Sequence, residues 1–210
     1  MKRLAGIACA VALAAALAGC GDPLNAAPTA GAGEDQTVAT GETVFLDGSG
    51  SADPNLTDTL YYQWVLVGKP AGSTAALANT TTAFTSFTAD LAGTYVVALG
   101  VNDGLNASDA DYVTIVADSP PEISTEVSEH EGAAVVDASA TEDPEGDAML
   151  YSWTLASRPA GSAAELALLD DTTAYVYCDL DGAYEVGLTV GDGTFESTAT
   201  VSFTWPLTSE

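Results

Sequence analysis

The chain has 210 residues, enough for two small domains and too few for a large enzyme core. Thirty acidic residues face four basic ones, for a net charge of −26, and a surface of that sign repels nucleic acid and anionic headgroups, which excludes nucleic-acid binding. Because 47% of the residues are hydrophobic and only 16% are charged, the acidity does not imply disorder and a folded core is expected.

The first element is a leader. Met1-Lys2-Arg3 is a short positive region, and Leu4 to Ala18 is an apolar run, too short to cross a ~30 Å hydrocarbon core and of the form of a signal-peptide core. It ends in Leu17-Ala18-Gly19-Cys20, which resembles the lipobox of bacterial lipoproteins. The resemblance implies cleavage after residue 19, a diacylglycerol on the Cys20 thiol and an acylated new amino terminus. Two or more acyl chains anchor a protein stably where one does not, so the first expected partner is the membrane. The other reading is an ordinary secretory signal with a cysteine there by chance. Gly21 follows the cysteine and Asp22 comes one place late for an inner-membrane retention signal, so the expected location is the cell envelope, on the outer membrane in a Gram-negative cell. Removing Lys2 and Arg3 leaves two cations, Lys69 and Arg158, against thirty acids, a net charge of −28.

Residues 20–33 carry the lipidated cysteine and a Gly-, Ala-, Pro- and Asn-rich stretch without apolar periodicity, read as a flexible tether. At ~3.3–3.6 Å per residue it would reach at most ~45 Å. From there the signals are those of short strands. Thr43 to Leu46 is β-prone and runs into the turn-rich Asp47-Gly48-Ser49-Gly50-Ser51. Tyr61 to Val67 follows, with Tyr62, Trp64 and Leu66 on one face, and Lys69-Pro70-Ala71-Gly72-Ser73 breaks it. A weaker strand is expected over Thr82 to Phe87. A strong one covers Thr94 to Val101, with Tyr95, Val97, Leu99 and Val101 inward, and Asn102-Asp103-Gly104 turns the chain into Asp111 to Val116.

The plan then recurs. Tyr151, Trp153, Leu155 and Arg158-Pro159-Ala160-Gly161-Ser162 lie 89 residues beyond their partners, and Glu142-Asp143-Pro144 lies 90 beyond Ala52-Asp53-Pro54. A repeat of this period means two copies of one small domain, expected over 34–118 and 119–210. Two prolines, Pro120 and Pro121, stiffen the junction. Short strands, frequent turn signals and no amphipathic helix predict an all-β protein made of two tandem antiparallel β-sandwiches.

Asp47-Gly48-Ser49-Gly50-Ser51-Ala52-Asp53-Pro54, Tyr62-x-Trp64, Asp90-x-x-Gly93-x-Tyr95 and Asp103-Gly104 resemble a PKD domain (polycystic kidney disease repeat). Asp143-Pro144, Tyr151-x-Trp153, Asp179-x-x-Gly182-x-Tyr184 and Asp192-Gly193 repeat the resemblance. It implies an immunoglobulin-like sandwich without the inter-sheet disulfide. Asp90 to Tyr95 has the form of a tyrosine corner, and Val97 stands where antibody domains place a cysteine.

Few residues offer chemistry. Cys178 is alone once Cys9 leaves with the leader and Cys20 is lipidated, so no intramolecular disulfide can form; it reads as a small buried hydrophobe, or else as a reactive thiol in an oxidising compartment. His130 is the one histidine and stands among Glu126, Glu129 and Glu131, a solvated setting that gives no triad. Carboxylates abound, but in turns of a duplicated small domain, and no enzymatic activity is expected. Calcium binds oxygen ligands in turns, and some PKD-type domains are similar in placing acidic turn residues around it. The candidate ligands are Asp143, Glu145 and Asp147 in the second copy and Asp53 and Asp58, a sparser set, in the first; the other reading is solvated turn acids. Lys69 and Arg158 are expected to cover a domain edge and pair with a nearby acid. Tyr61, Tyr112 and Trp205 are the candidates for aromatics that stack on sugar rings. The expected function is binding, adhesion or spacing at the cell surface, toward a surface protein or polysaccharide; a carbohydrate-binding accessory role and an envelope assembly role are the alternatives.

Overall fold

The structure is a computed structural model and describes residues 25–207; Cys20 and the leader lie outside them. The described residues form strands and loops, and they divide into two compact units at the Ala117–Asp118 junction.

The first unit contains β1 (Gln36–Ala39), β2 (Thr43–Asp47), β3 (Tyr61–Gly68), β4 (Phe84–Thr88), β5 (Gly93–Asn102) and β6 (Asp111–Asp118). One sheet has the order β1-β6-β5-β3, and β2 pairs with β4 in the other. Alternation decides the faces: Tyr95, Val97, Leu99 and Val101 of β5 point inward, as do Val113 and Ile115 of β6 and Val44 and Leu46 of β2. Trp64 is 1% exposed among them and donates its ring Nε1–H to the Thr82 carbonyl at 3.0 Å. Burial of each such side chain contributes roughly 1.5–3 kcal/mol.

The tyrosine corner forms as expected. The Tyr95 hydroxyl donates to the Leu91 carbonyl at 2.8 Å and accepts the Leu91 N–H at 3.0 Å; in the second unit the Tyr184 hydroxyl donates to the Leu180 carbonyl at 2.8 Å. The repeated Pro-Ala-Gly-Ser segment docks against this corner. Asp90 accepts the Ser73 hydroxyl and, at 2.6 and 2.7 Å, the N–H and hydroxyl of Thr74, and Asp179 takes the Ser162 hydroxyl and the Ala163 N–H in the same way. The Ser73 hydroxyl, followed by the two Thr74 donors, holds the Asp90 carboxyl well below the ordinary carboxylate range. A depressed folded-state pKa means that this latch stabilises above the unfolded value of 3.8 and is lost as pH falls through the folded value. Acid titration of the melting temperature should therefore fall less steeply below pH 3.8 in Asp90→Asn than in the unaltered chain; parallel curves would remove Asp90 from the acid response.

The second unit contains β7 (Glu126–His130), β8 (Ala133–Asp137), β9 (Leu150–Ser157), β10 (Glu165–Leu168), β11 (Thr173–Tyr177), β12 (Gly182–Gly191) and β13 (Glu196–Trp205). Its sheets have the orders β13-β12-β9 and β10-β11-β8-β7. Tyr184, Val186, Leu188 and Val190 of β12 face inward, and the Tyr184 and Phe203 rings stack with centroids 5.7 Å apart.

Two expectations are corrected here. The stretch read as tether up to residue 33 is bound to the first unit from residue 25 onward: Ala26 N–H donates to Asn55 Oδ1, Thr29 pairs with Ala52, and Ala32 N–H donates to Asp111 Oδ2. Its composition has no period because loops, through side-chain acceptors, hold it in place of a sheet ladder. The second copy also does not repeat the plan throughout. β1 and β7 occupy corresponding positions, 90 residues apart, yet β1 pairs with β6 and β7 pairs with β8 on the opposite sheet. Two carboxylates pin the first copy's segment to β6, since Asp111 takes the Ala32 N–H and Asp35 takes the Thr114 N–H. The matching positions hold Ala199 and Thr125, neither of which carries a carboxylate. Positive φ at both Glu131 (52°) and Gly132 (80°) then closes a two-residue turn that folds β7 back onto β8.

Candidate functional site

The loop after β2 (residues 48–60) and the loop after β5 (residues 103–110) meet at one end of the first unit, and three carboxylates come together there. Oxygens of Asp53, Asp58 and Asp103 all lie within 4.8 Å of one another. Local turn chemistry sets two of them. Asp53 Oδ1 accepts the Asn55 N–H at 2.7 Å, and Asp103 Oδ1 accepts the Leu105 and Asn106 N–H groups at 2.7 and 2.6 Å. Asp103 Oδ2 accepts from Asn25 Nδ2 at 2.7 Å, so the amino-terminal segment closes the site. The Asn106 N–H, with smaller contributions from Leu105 and Asn25, lowers the Asp103 pKa and keeps that carboxylate charged. Asp53 Oδ2 is buried and has no hydrogen-bond partner. Converging like charges with an orphaned oxygen fit a hard cation, and the spacing suits the all-oxygen shell of calcium. Leu56 and Leu105 stand exposed in the same two loops, at 95% and 56%.

Asp53 and Asp58 are thus brought together, joined by Asp103. Asp143, Glu145 and Asp147 do not form such a group among the described residues. Asp143 Oδ1 accepts the N–H groups of Glu145 and Asp147 at 3.0 and 2.9 Å, and the Glu145 carboxylate takes the N–H and hydroxyl of Ser119. Asp143 Oδ2 and Asp192 Oδ2, at positions corresponding to Asp53 and Asp103, are also buried without a partner. Asp103 escaped sequence reasoning because Asn102-Asp103-Gly104 reads as a turn. The available signal was the recurrence of that Asp-Gly, together with Asp-Pro, in both copies.

The other singled-out residues take plainer places. His130 ends β7, exposed, 3.9 Å from Glu131 Oε1. Cys178 is half-buried against the second core, and burial raises its thiol pKa, which makes it a poor nucleophile at neutral pH. Lys69 and Arg158 donate to the carbonyls of Ala75 and Ala164 and form no ion pair among the described residues, while the Arg158 charge makes a small contribution to lowering the Asp179 pKa. Trp205 packs against the core. Tyr61 and Tyr112 are exposed on one outer sheet face, and Phe45 and Phe84, which sequence reasoning passed over, are exposed on the other sheet.

Residues 32–117 match a family model described as "K319L-like, PKD domain". Chitinase A of Pseudoalteromonas piscicida is 34% identical over 145 residues, which is 64% of this chain and 17% of that protein. The chain therefore spans less than a fifth of that relative's length. The solution structure of the PKD domain from KIAA 1837 protein is 28% identical, covers 43% of this chain and 86% of its own, and superposes with a TM-score of 0.37. The eight amino-terminal Ig domains of Down Syndrome Cell Adhesion Molecule cover 84% of this chain, with 27% of their own length, at 10% identity and a TM-score of 0.54. That last likeness shows the fold alone. Tandem immunoglobulin-like β-sandwiches are the architecture of this chain, and residues 32–117 carry a PKD domain.

Proposed function

We propose that this protein is a lipid-anchored component of the bacterial cell envelope that holds two PKD-like domains, 34–118 and 119–210, for binding or adhesion to a surface protein or polysaccharide, with no catalytic role. The observation that carries the reading is the loop end of the first unit, where Asp53, Asp58 and Asp103 converge between the exposed Leu56 and Leu105. A charged, cation-ready centre with apolar tips is suited to recognition: the ion stiffens the loops, and the leucines supply contact area. Cross-linking capture from envelope extracts tests it. The unaltered protein should retain a partner that Leu56→Asp/Leu105→Asp loses, and equal capture by both would move the binding surface elsewhere.

Calcium is the proposed ion. At a concentration tenfold above Kd it would add about 1.4 kcal/mol, raising the first unit's melting temperature by roughly 6–11 °C over chelator. Identical melting in both conditions ends the calcium reading. Anchoring rests on Cys20, and Cys20→Ser should move the protein from the membrane fraction into soluble or precursor form; an unchanged membrane fraction would remove the lipid anchor from the proposal.

The accessory carbohydrate reading draws support from Tyr61 and Tyr112. They stand on the same outer face, two strands apart and four residues along the ladder, roughly 16 Å from one another, so one extended glycan could touch both. Binding to insoluble chitin or to a glycan array that is lost in Tyr61→Ala/Tyr112→Ala would favour it.

A further inference from the structure

The first and second units treat the same sheet edge differently. In the first, β1 covers the outer edge of β6; in the second, β7 goes to the other sheet, and among the described residues no strand pairs with the outer edge of β13. We propose that this edge pairs with the β13 of a second copy of the chain, antiparallel, across a two-fold axis at Val201.

The strand carries the marks of an edge left open for pairing. β13 is ten residues long and in unbroken register with β12 from Gly182–Trp205 to Gly191–Glu196. It holds neither proline nor lysine, and it has no bulge to twist it away, so the usual protections of an exposed edge are missing. Its outward-facing side chains are Glu196, Thr198, Thr200, Ser202 and Thr204, and the opposite set includes the core residues Val201 and Phe203.

The direction of the free backbone groups follows from the first unit. Thr114 donates its N–H away from β5, to Asp35, and Ser202 holds the corresponding place beside β12. The N–H groups of Thr198, Thr200, Ser202 and Thr204 therefore point to the open edge. With the axis at Val201, Thr200 meets Ser202 of the second copy and exchanges both backbone hydrogen bonds with it, while Thr198 meets Thr204. These hydroxyl pairs are among the favourable cross-strand combinations.

Charge selects the orientation. The one ionisable side chain of β13 is Glu196, at its start. Parallel pairing would set the two Glu196 carboxylates side by side, whereas antiparallel pairing separates them by roughly 30 Å. Each copy carries a net charge of −26 over the whole sequence, so long-range repulsion opposes association and salt should tighten it.

The test is sedimentation equilibrium of the full chain carrying Cys20→Ser, with and without added salt. A dimer that strengthens with salt is expected. Thr200→Pro, which removes two symmetric hydrogen bonds, should weaken it roughly tenfold or more, and Thr200→Lys should do the same by placing like charges near the axis while keeping the backbone donor. Thr200→Cys/Ser202→Cys should give an intermolecular disulfide whose peptide mass joins positions 200 and 202. A monomer at every salt concentration, a dimer indifferent to both Thr200 variants, or the absence of the 200–202 cross-linked peptide would each overturn the proposal.

Discussion

Trp64→Ala is expected to unfold the first domain at temperatures where the second remains folded. Trp64 is 1% exposed, packs in the cluster that holds Val44, Leu46, Val97 and Leu99, and is tied by its ring N–H to the Thr82 carbonyl. Truncating a buried tryptophan costs ~3–5 kcal/mol, against a total of roughly 5–13 kcal/mol for a unit of about ninety residues. Calorimetry should show the transition of the first domain greatly lowered and the other unchanged; two undisturbed transitions would contradict the assignment of Trp64 as the core pin. Trp153 holds the matching position with the matching bond, to the Asp171 carbonyl, but it is only half-buried. Trp153→Ala should therefore cost less, about 1–3 kcal/mol. The repeat made the two tryptophans look equivalent, and packing separates them.

The second large effect is expected at the glycines that receive the repeated prolines. Gly182 has φ +143°, and a Cβ there would lie 2.9 Å from Pro159 Cγ; Gly93 has φ +123°, with Pro70 Cγ at 3.1 Å. Alanine at Gly182 meets two penalties, a backbone conformation disfavoured for residues with a side chain and a steric collision in a docked loop, together about 2–4 kcal/mol. Pro159→Ala added to Gly182→Ala should relieve the collision and leave the backbone strain, so the double variant recovers part of the loss. A double variant no more stable than the sum of the two single losses would show that proline and glycine do not act as a contact pair. This contact, with the Asp179 latch on Ser162 and Ala163, accounts for the pairing of Pro-Ala-Gly-Ser with Asp-x-x-Gly-x-Tyr in both copies: one segment is the lid of the other.

Much of the fold was legible because it rests on local chemistry. Alternation at Tyr95, Val97, Leu99 and Val101 dictates an inward face whatever surrounds it, and the Asp90-to-Tyr95 corner closes on its own neighbours. The candidate site was legible only in part. Asp53 and Asp58 sit five residues apart in one loop, but their third partner, Asp103, arrives from a loop about fifty residues on. The richer acidic run at Asp143, Glu145 and Asp147 looked stronger as a sequence, yet Asp143 Oδ1 is taken by turn N–H donors and Glu145 by Ser119, and the three do not converge among the described residues.

By itself the sequence determined an all-β chain built twice from one plan, with its core positions, tyrosine corners and acidic surface, since side-chain period and turn chemistry act over a few residues. Only the tertiary structure decided which carboxylates converge, how deeply each tryptophan is buried, and which sheet receives the first strand of each copy. Those outcomes depend on contacts between segments far apart in the chain. The pins at Asp35 and Asp111, present in one copy and replaced by Thr125 and Ala199 in the other, accompany that change of sheet, and among the described residues no strand pairs with the outer edge of β13.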